Sequence, residues 1–177
     1  MKKNNLIALS LSILATALFP ITSKAQDAKL VADASTAHTA FVNTDPLMAS
    51  LFTTSYAYTI FPNIGKGAIG VGGAAGNGVV YQGGSIIGQS KMKQLTIGFQ
   101  LGGQKYREVI FFENQAALNR FKENGFEFAA QASAVAVTKG ASTNVKYREG
   151  VMVFTQEKGG LMYEASVGGQ KFKFIPN

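Results

Sequence analysis

Glycine is concentrated in one stretch of this chain, and that stretch limits the folds open to it. Thirteen of the 20 glycines lie between residues 61 and 104, separated by short runs of valine, isoleucine, phenylalanine and leucine. Glycine at this density disfavours a helix and suits curved strands whose backbones approach closely or form bulges. Asn77-Gly78, between two apolar runs, predicts a hairpin turn, since both residues tolerate a positive φ. The stretch therefore predicts about four strands.

The N-terminus has the three parts of a secretory signal peptide. Lys2-Lys3 precedes an apolar run over 6–21, and Ser23 and Ala25 place small residues just before a cleavage site. We therefore expect removal of residues 1–25 and a periplasmic or secreted protein, peripheral on a membrane. The alternative, an uncleaved anchor, needs about 20 uninterrupted apolar residues, whereas this run contains serine, threonine and proline. Without cysteine, stability must come from the core rather than from disulfides.

The charge of the chain is mildly basic. The formal net charge is +7, and removing Lys2, Lys3 and Lys24 with the signal peptide lowers it to +4. This excess suits an anionic membrane surface, but the chain lacks the dense lysine and arginine runs of a nucleic-acid-binding protein. We therefore expect an anionic phospholipid or membrane partner and no nucleic acid.

The rest of the chain predicts an α+β fold. Residues 26–60 form a helical segment, in which one apolar face carries Leu30, Ala34, Ala37 and Phe41. A second helix starts at Asp45-Pro46 and ends near Phe61-Pro62. Residues 61–177 predict a glycine-rich, strongly bent antiparallel sheet or partly closed barrel, with the strand Val109–Phe112 covered on both faces. One inserted helix near 115–124 is capped by Asn114.

Several motifs resemble, in order and spacing, the SYLF lipid-binding domain family. Phe61-Pro62 with Lys66-Gly67 comes first, followed by the segment 98–104 (GFQLGGQ), Ala132-Ser133 and the segment 157–161 (EKGGL). The resemblance covers about residues 46–167 and implies a non-enzymatic core at 61–177 that binds acidic phospholipids without a cofactor. Family analogy alone would also imply actin regulation. We do not expect it here, because an exported protein meets no actin in its compartment. The chain departs from the family at Gln131, where an acidic residue is common.

Basic residues are the candidate lipid-binding groups. Lysines flank Met92 and Phe172, so in each case two cations project from one face of an extended segment while the apolar residue points away. Such groups bind phosphate headgroups, although solvated edge lysines that prevent aggregation give the same pattern. Lys66 is a candidate because it matches the family motif. Arg107 is a candidate because the segment 102–107 (GGQKYR) is repeated in similar form at 168–173 (GGQKFK), and the two segments would give two basic edges on one surface. The candidate residues are Lys66, Lys91, Lys93, Arg107, Lys171 and Lys173.

Catalytic and nucleotide-binding motifs are weakly represented. The segment 65–70 (GKGAIG) matches G-x-G-x-x-G, but further glycines follow where a helix should begin, and no acid lies between Asp45 and Glu108 to hold a ribose. His38 is the single histidine, no His/Cys metal cluster exists, and Glu108, Glu113, Glu123 and Glu127 are predicted on solvated faces. We therefore expect no enzyme and no nucleotide. A small outer-membrane β-barrel or envelope structural protein remains an alternative, as does an enzyme with an unusual carboxylate site.

Overall fold

The computed structural model describes residues 21–69, 71–96, 104–123, 126–129, 133–158 and 165–177. Its helices are α1 (Ile21–Thr44), α2 (Met48–Thr54) and α3 (Gln115–Lys122), with a 3-10 turn at Ala141–Asn144, and its strands are β1 (Ala57–Ile69), β2 (Val71–Gln82), β3 (Ser85–Thr96), β4 (Gln104–Phe112), β5 (Ser133–Ala136), β6 (Val151–Glu157), β7 (Ala165–Ser166) and β8 (Gln170–Pro176). Helices precede a sheet that contains one inserted helix, so the predicted α+β class is confirmed.

The N-terminal helices pack on one side of the sheet. α1 buries Ala34, Ala37 and Phe41, as its periodicity predicts. α2 ends at Thr54 and not near Phe61-Pro62, because the aromatic and β-branched residues that follow pair with β2 and β4 instead. Within the described residues, no helix combines the length and the apolar character needed to cross a membrane.

The sheet runs in the order β7-β5-β6-β4-β1-β2-β3-β8. The predicted turn at Asn77-Gly78 is wrong, because both residues lie in the middle of β2, opposite Lys91 and Ser90 of β3. The β2–β3 turn lies at Gly83-Gly84, whose φ angles of 56° and 78° require glycine. Gly78 is needed for a different reason: a Cβ there would lie 2.7 Å from the Phe61 ring. Close packing, not turn geometry, therefore explains this glycine.

A β-bulge interrupts β1 at Pro62-Asn63. Phe61 pairs with Glu108 and Ile64 with Tyr106, so two residues of β1 oppose the single residue Arg107 of β4. Proline has no N–H to donate to a ladder and is tolerated in a sheet at such bulges. The bulge therefore explains how a proline occupies a central strand.

The sheet bends strongly. Residues 126–128 form hydrogen bonds to β8, for example from Phe128 N–H to Gln170 O at 3.0 Å, whereas β5 pairs with β6 at Val135 and Ala136. Seven residue steps, at most about 25 Å of chain, separate Phe128 from Val135, whereas residues 126–128 and β5 would be about 34 Å apart in a flat sheet. The two edges must therefore curve towards each other. The β5–β6 pair is parallel, which corrects the expectation of a wholly antiparallel sheet.

The bent sheet has an apolar core on each side. The inner core, on the concave side with α3, contains among others Phe61, Ile64, Met92, Tyr106, Ile110, Phe112, Phe121 and Phe172. The outer core, under α1 and α2, contains among others Phe41, Phe52, Ile60, Val79, Val109, Phe111 and Phe154. Val109 to Phe112 thus divides its side chains between two cores, as predicted for a strand covered on both faces. Asn114 caps α3 through its side-chain oxygen, which accepts from Ala117 N–H at 3.0 Å.

Several sequence predictions concern residues outside those described. They are residues 1–20 of the signal peptide and the family positions within 98–103, at Gln131 and Ala132, and within 159–161.

Candidate anion-binding face

Four of the predicted lysines come together on the outer side of the sheet. β3 and β8 are antiparallel neighbours, and their register places Lys91 opposite Lys173 and Lys93 opposite Lys171. Between them, Met92 pairs with Phe172, and both are buried in the inner core. Side chains alternate along a strand, so the four exposed lysines project from the opposite, outer face. We call this group the lysine ladder.

The lysine ladder places like charges opposite each other, which is unfavourable in an antiparallel strand pair. Directly opposed side chains in an antiparallel pair lie about 4.5–5.5 Å apart at Cβ, and like charges there are destabilising. Two such pairs follow each other. Glu127 offsets part of this charge, since its Oε2 lies 3.2 Å from Lys171 Nζ, but both side chains are largely exposed and the ion pair is weak.

A second group of cations gathers at the β1 bulge. Along β4, Tyr106 and Ile110 face the inner core and Val109 the outer core, so alternation places Lys105 and Arg107 on the outer side. Lys158, just after β6, joins them through its N–H, which donates to Lys105 O at 3.0 Å. Its ammonium also donates to Asn63 Oδ1. With Lys29 of α1, these residues form what we call the bulge cluster: Lys29, Lys105, Arg107 and Lys158.

Burial and mutual repulsion act on the bulge cluster. The pKa of Lys158 is lowered, first by burial and then by the positive charges of Arg107, Lys105 and Lys29, while Asp33 opposes the shift. Asp33 is engaged with Lys29 Nζ at 2.6 Å and with Asn63 Nδ2 at 3.2 Å. Burial also lowers the pKa of Arg107, although guanidinium remains charged at any ordinary pH.

A groove of about 390 Å³ lies between α1 and the sheet and joins the two groups. Lys29, Asp33 and Asn63 line one part of it and Lys91 another. Asp27 spans the groove, since its Oδ1 accepts from Gln89 Nε2 at 2.8 Å. Polar contacts from Asp27 and Asp33 thus join α1 to the sheet beside the apolar contacts of Leu30 and Val31.

Glu108 is buried, which corrects its predicted position on a solvated face. It lies on the same side of β4 as Tyr106 and Ile110, and its Oε2 accepts from Gln170 Nε2 at 3.0 Å. Burial, and secondly the charge of Glu108, raises the pKa of Tyr106 far above its usual range. Glu127 and Glu113 are exposed as predicted. Glu108 is thus part of a buried hydrogen-bonded group that includes Gln170.

The structure therefore sorts the six predicted residues into groups. It brings together the four lysines of the ladder, and it places Arg107 apart from them in the bulge cluster. Lys66 lies in β1 opposite Ala74 and Gln104, but its side chain is outside the described residues. Sequence reasoning missed Lys29 and Lys158, because contacts between distant segments bring them to Arg107. It also missed Lys105, although alternation along β4 places Lys105 on the same face as Arg107.

Two comparisons with known proteins bear on these residues. Residues 93–174 match the Ysc84 family, described as Las17-binding protein actin regulator. The chain is also similar to "Beta cell expansion factor A" of Aeromonas veronii, with 28% identity over 158 residues, which is 88% of this chain. The chain spans 59% of the length of that relative. The family match includes Lys93, Lys171 and Lys173, together with Arg107 and Lys158.

Proposed function

We propose that the protein is a non-enzymatic lipid-binding protein that docks on anionic phospholipid membranes, and the family match at residues 93–174 supports this proposal. The lysine ladder is the docking surface in this proposal. The signal peptide predicted at residues 1–25 places the activity in the periplasm or outside the cell. An intact mass of the exported protein that begins near Gln26 would support this placement, and retention of residues 1–25 would contradict it.

The proposal is carried by the opposed lysine pairs of β3 and β8. Two successive like-charge pairs cost stability, and local rules are typically broken in this way at functional sites. A membrane rich in anionic headgroups supplies the negative charge that the pairs lack. Each lysine near such a surface contributes about 1 kcal/mol, within a Debye length. The net charge of +7, or +4 after cleavage, is too small to bind a membrane without such local clustering.

Vesicle sedimentation tests the docking surface. The wild-type protein should bind vesicles of phosphatidylcholine mixed with phosphatidylglycerol in preference to phosphatidylcholine alone. The double variant Lys171→Glu/Lys173→Glu should bind the anionic vesicles at least about tenfold more weakly, since about 1.4 kcal/mol corresponds to a factor of ten. Added salt should weaken wild-type binding in the same direction, because the Debye length falls from about 10 Å at 0.1 M to about 3 Å at 1 M.

A matched control separates the ladder from net charge. Lys139 and Lys146 are exposed in the segment between β5 and β6, which hydrogen bonds to Asp45 and Ser55 beside α2 and is separate from the two strands of the ladder. The variant Lys139→Glu/Lys146→Glu makes the same change in net charge and should retain most of the affinity. Equal losses in both variants, or binding that ignores salt, would contradict docking through the ladder.

Actin is outside the proposal. The description of the matched family names actin regulation, but the predicted export would separate this protein from cytoplasmic actin. Retention of the protein in the cytoplasm would remove that objection.

A further inference from the structure

We infer that the bulge cluster is a seat for one phosphomonoester group, held by the guanidinium of Arg107 and the ammonium groups of Lys105 and Lys158. The inference deepens the proposed function, on which its lipid source rests. The seat differs from the lysine ladder in being a shaped site for a single group and not a flat charged surface.

The bulge gives the site its shape. Two residues, Pro62 and Asn63, stand opposite Arg107, so the strand is locally bent where the arginine emerges. Bulges of this kind re-aim side chains and are common beside functional sites. Asn63 then fixes the position of Lys158 by accepting a hydrogen bond from its ammonium. The cations are therefore held by backbone geometry and by a neighbouring amide.

Charge in the cluster is not balanced by the described residues around it. The charges acting on Lys158 are those of Arg107, Lys105 and Lys29 on the positive side and Asp33 on the negative side. Asp33 already pairs with Lys29 at 2.6 Å. A bound anion would therefore relieve repulsion among the remaining three cations.

Arg107 also carries a buried donor without an acceptor. Its Nε has no hydrogen-bond partner among the residues that the structure describes. A buried donor left unpaired is costly, more so when it belongs to a charged group. Because the Nε atom has almost no accessible surface, an anionic oxygen would satisfy this donor once the guanidinium turns towards the bound group.

A phosphomonoester fits these requirements better than a carboxylate or a phosphodiester. It presents three terminal oxygens and up to two negative charges, which matches one guanidinium and two ammonium groups. The planar fork of arginine binds phosphate oxygens through two parallel hydrogen bonds, and lysine adds a point charge. The same chemistry occurs in the headgroup of phosphatidic acid and in soluble glycerol 3-phosphate.

Titration with glycerol 3-phosphate tests the seat without a membrane. In ¹⁵N-labelled protein the Arg107 Nε–Hε resonance should shift and saturate, whereas acetate at matched ionic strength should leave it nearly unchanged. Lys158→Gln should weaken binding about tenfold, in line with the loss of one charge-assisted hydrogen bond. Arg107→Lys keeps the charge but loses the fork, and should weaken binding by at least as much. Lys139→Gln is the matched control and should bind like the wild type.

The outcomes separate the possibilities. Equal binding of acetate, or wild-type affinity in both Lys158→Gln and Arg107→Lys, would overturn the seat. If Arg107→Lys does not fold, Lys158→Gln and Lys105→Gln carry the test, because both lysines are exposed.

A second experiment, with lipid vesicles, identifies whether the phosphate belongs to a lipid or to a soluble molecule. The variant Lys171→Glu/Lys173→Glu should still bind glycerol 3-phosphate like the wild type, because the ladder is not part of the seat. If its residual vesicle binding prefers phosphatidic acid over phosphatidylglycerol at equal vesicle charge, the ligand is a lipid headgroup. If it shows no such preference while glycerol 3-phosphate binds, a soluble phosphomonoester is the ligand. Failure of wild-type vesicle binding alone would contradict the proposed function and leave the seat standing.

Discussion

The lysine ladder and the bulge cluster lie on the same side of one sheet, yet different features of the fold fix them. The ladder arises from the register of two long, regular strands, and all four of its ammonium groups are exposed. The bulge cluster arises where β1 departs from regular pairing, and Arg107 is partly buried there with an unpaired Nε. Each region thus contains four cations, and the bulge cluster differs in that one of them, Arg107, is partly buried against protein.

Because of this difference, we expect mutations in the two regions to affect different properties of the protein. Repulsion in the ladder is screened by solvent and salt, so substitutions there should change membrane binding much more than stability. At the buried Gly78 and the partly buried Arg107 around the bulge, packing and desolvation dominate, and both are insensitive to salt. Substitutions there should change the free energy of unfolding directly.

The largest effect is expected at Gly78, which faces the bulge from β2. A Cβ at this position would lie 2.7 Å from Phe61 Cδ1 and 2.9 Å from Ile60 O. Gly78→Val should therefore lower the free energy of unfolding by about 3 kcal/mol, at the upper end of the usual cost of overpacking a core. Urea denaturation at neutral pH measures the change.

Gly65 supplies the matched control for this prediction. It lies in β1, just beyond the bulge, and a Cβ there would meet nothing within 4 Å. Gly65→Ala should therefore leave stability unchanged or raise it by about 0.5 kcal/mol, since glycine is entropically costly in a strand. If Gly78→Val were as harmless as Gly65→Ala, the tight packing at the bulge would be wrong.

Asp45 is a buried charge with partners and so contrasts with Arg107. Its Oδ1 accepts from Leu47 N–H at 3.2 Å and its Oδ2 from Ser142 N–H at 2.8 Å. Burial acts to raise the pKa of Asp45, but these hydrogen bonds outweigh it and the pKa is lowered. Asp45→Ala should therefore cost about 1.5–3 kcal/mol at neutral pH, the usual range for hydrogen bonds to a charged group.

The pH dependence of that cost has a definite sign. A lowered carboxyl pKa stabilises the fold above the unfolded-state pKa of about 4, and this contribution is lost as the pH falls through the folded-state value. The stability difference between wild type and Asp45→Ala should therefore shrink in urea titrations at pH 3 compared with pH 7. A difference that grows on acidification would contradict this account.

Arg107→Met tests the unpaired charge itself. Replacing Arg107, whose Nε is buried without an acceptor, by an apolar side chain of similar length removes an unsatisfied donor and should be neutral or stabilising by about 1 kcal/mol. We expect the thermal midpoint to rise in phosphate-free buffer. With glycerol 3-phosphate the advantage should shrink, because a ligand stabilises only the wild type. A lower midpoint in phosphate-free buffer would show that Arg107 has a partner that stabilises it.

The same contrast explains what the sequence could predict. In the ladder, alternation along each strand gives the outward direction of Lys91 and Lys173, and this local rule needs no knowledge of the neighbouring strand. That β3 and β8 are adjacent could not be predicted locally, since they are more than 70 residues apart in the chain. Lys158 and Lys105 meet for the same kind of long-range reason.

The errors have a common physical cause. Asn77-Gly78 has the composition of a turn, but both residues lie within a strand, where close packing against Phe61 requires glycine at position 78. Glu108 has the composition of a surface residue, but Gln170 from β8 supplies the hydrogen bond that permits its burial. In both cases a partner distant in sequence overrides the local preference. Pro62, in contrast, carried a local signal for the bulge, since proline in a central strand requires one.

Lys173→Glu should give the smallest change in stability and the clearest separation of the two regions. The substitution replaces a like-charge pair with Lys91 by an opposite-charge pair, which is worth about 0.2–1 kcal/mol across antiparallel strands. The variant should therefore be slightly more stable than the wild type while it binds anionic vesicles more weakly. Lys173→Gln, which removes the repulsion without adding attraction, should lie between them in stability. Because the ladder is exposed, 1 M salt should abolish the gain in stability. A gain that persists in salt, or a loss of stability at low salt, would show that Lys173 is held by packing as Arg107 is, and the distinction between the two regions would fail.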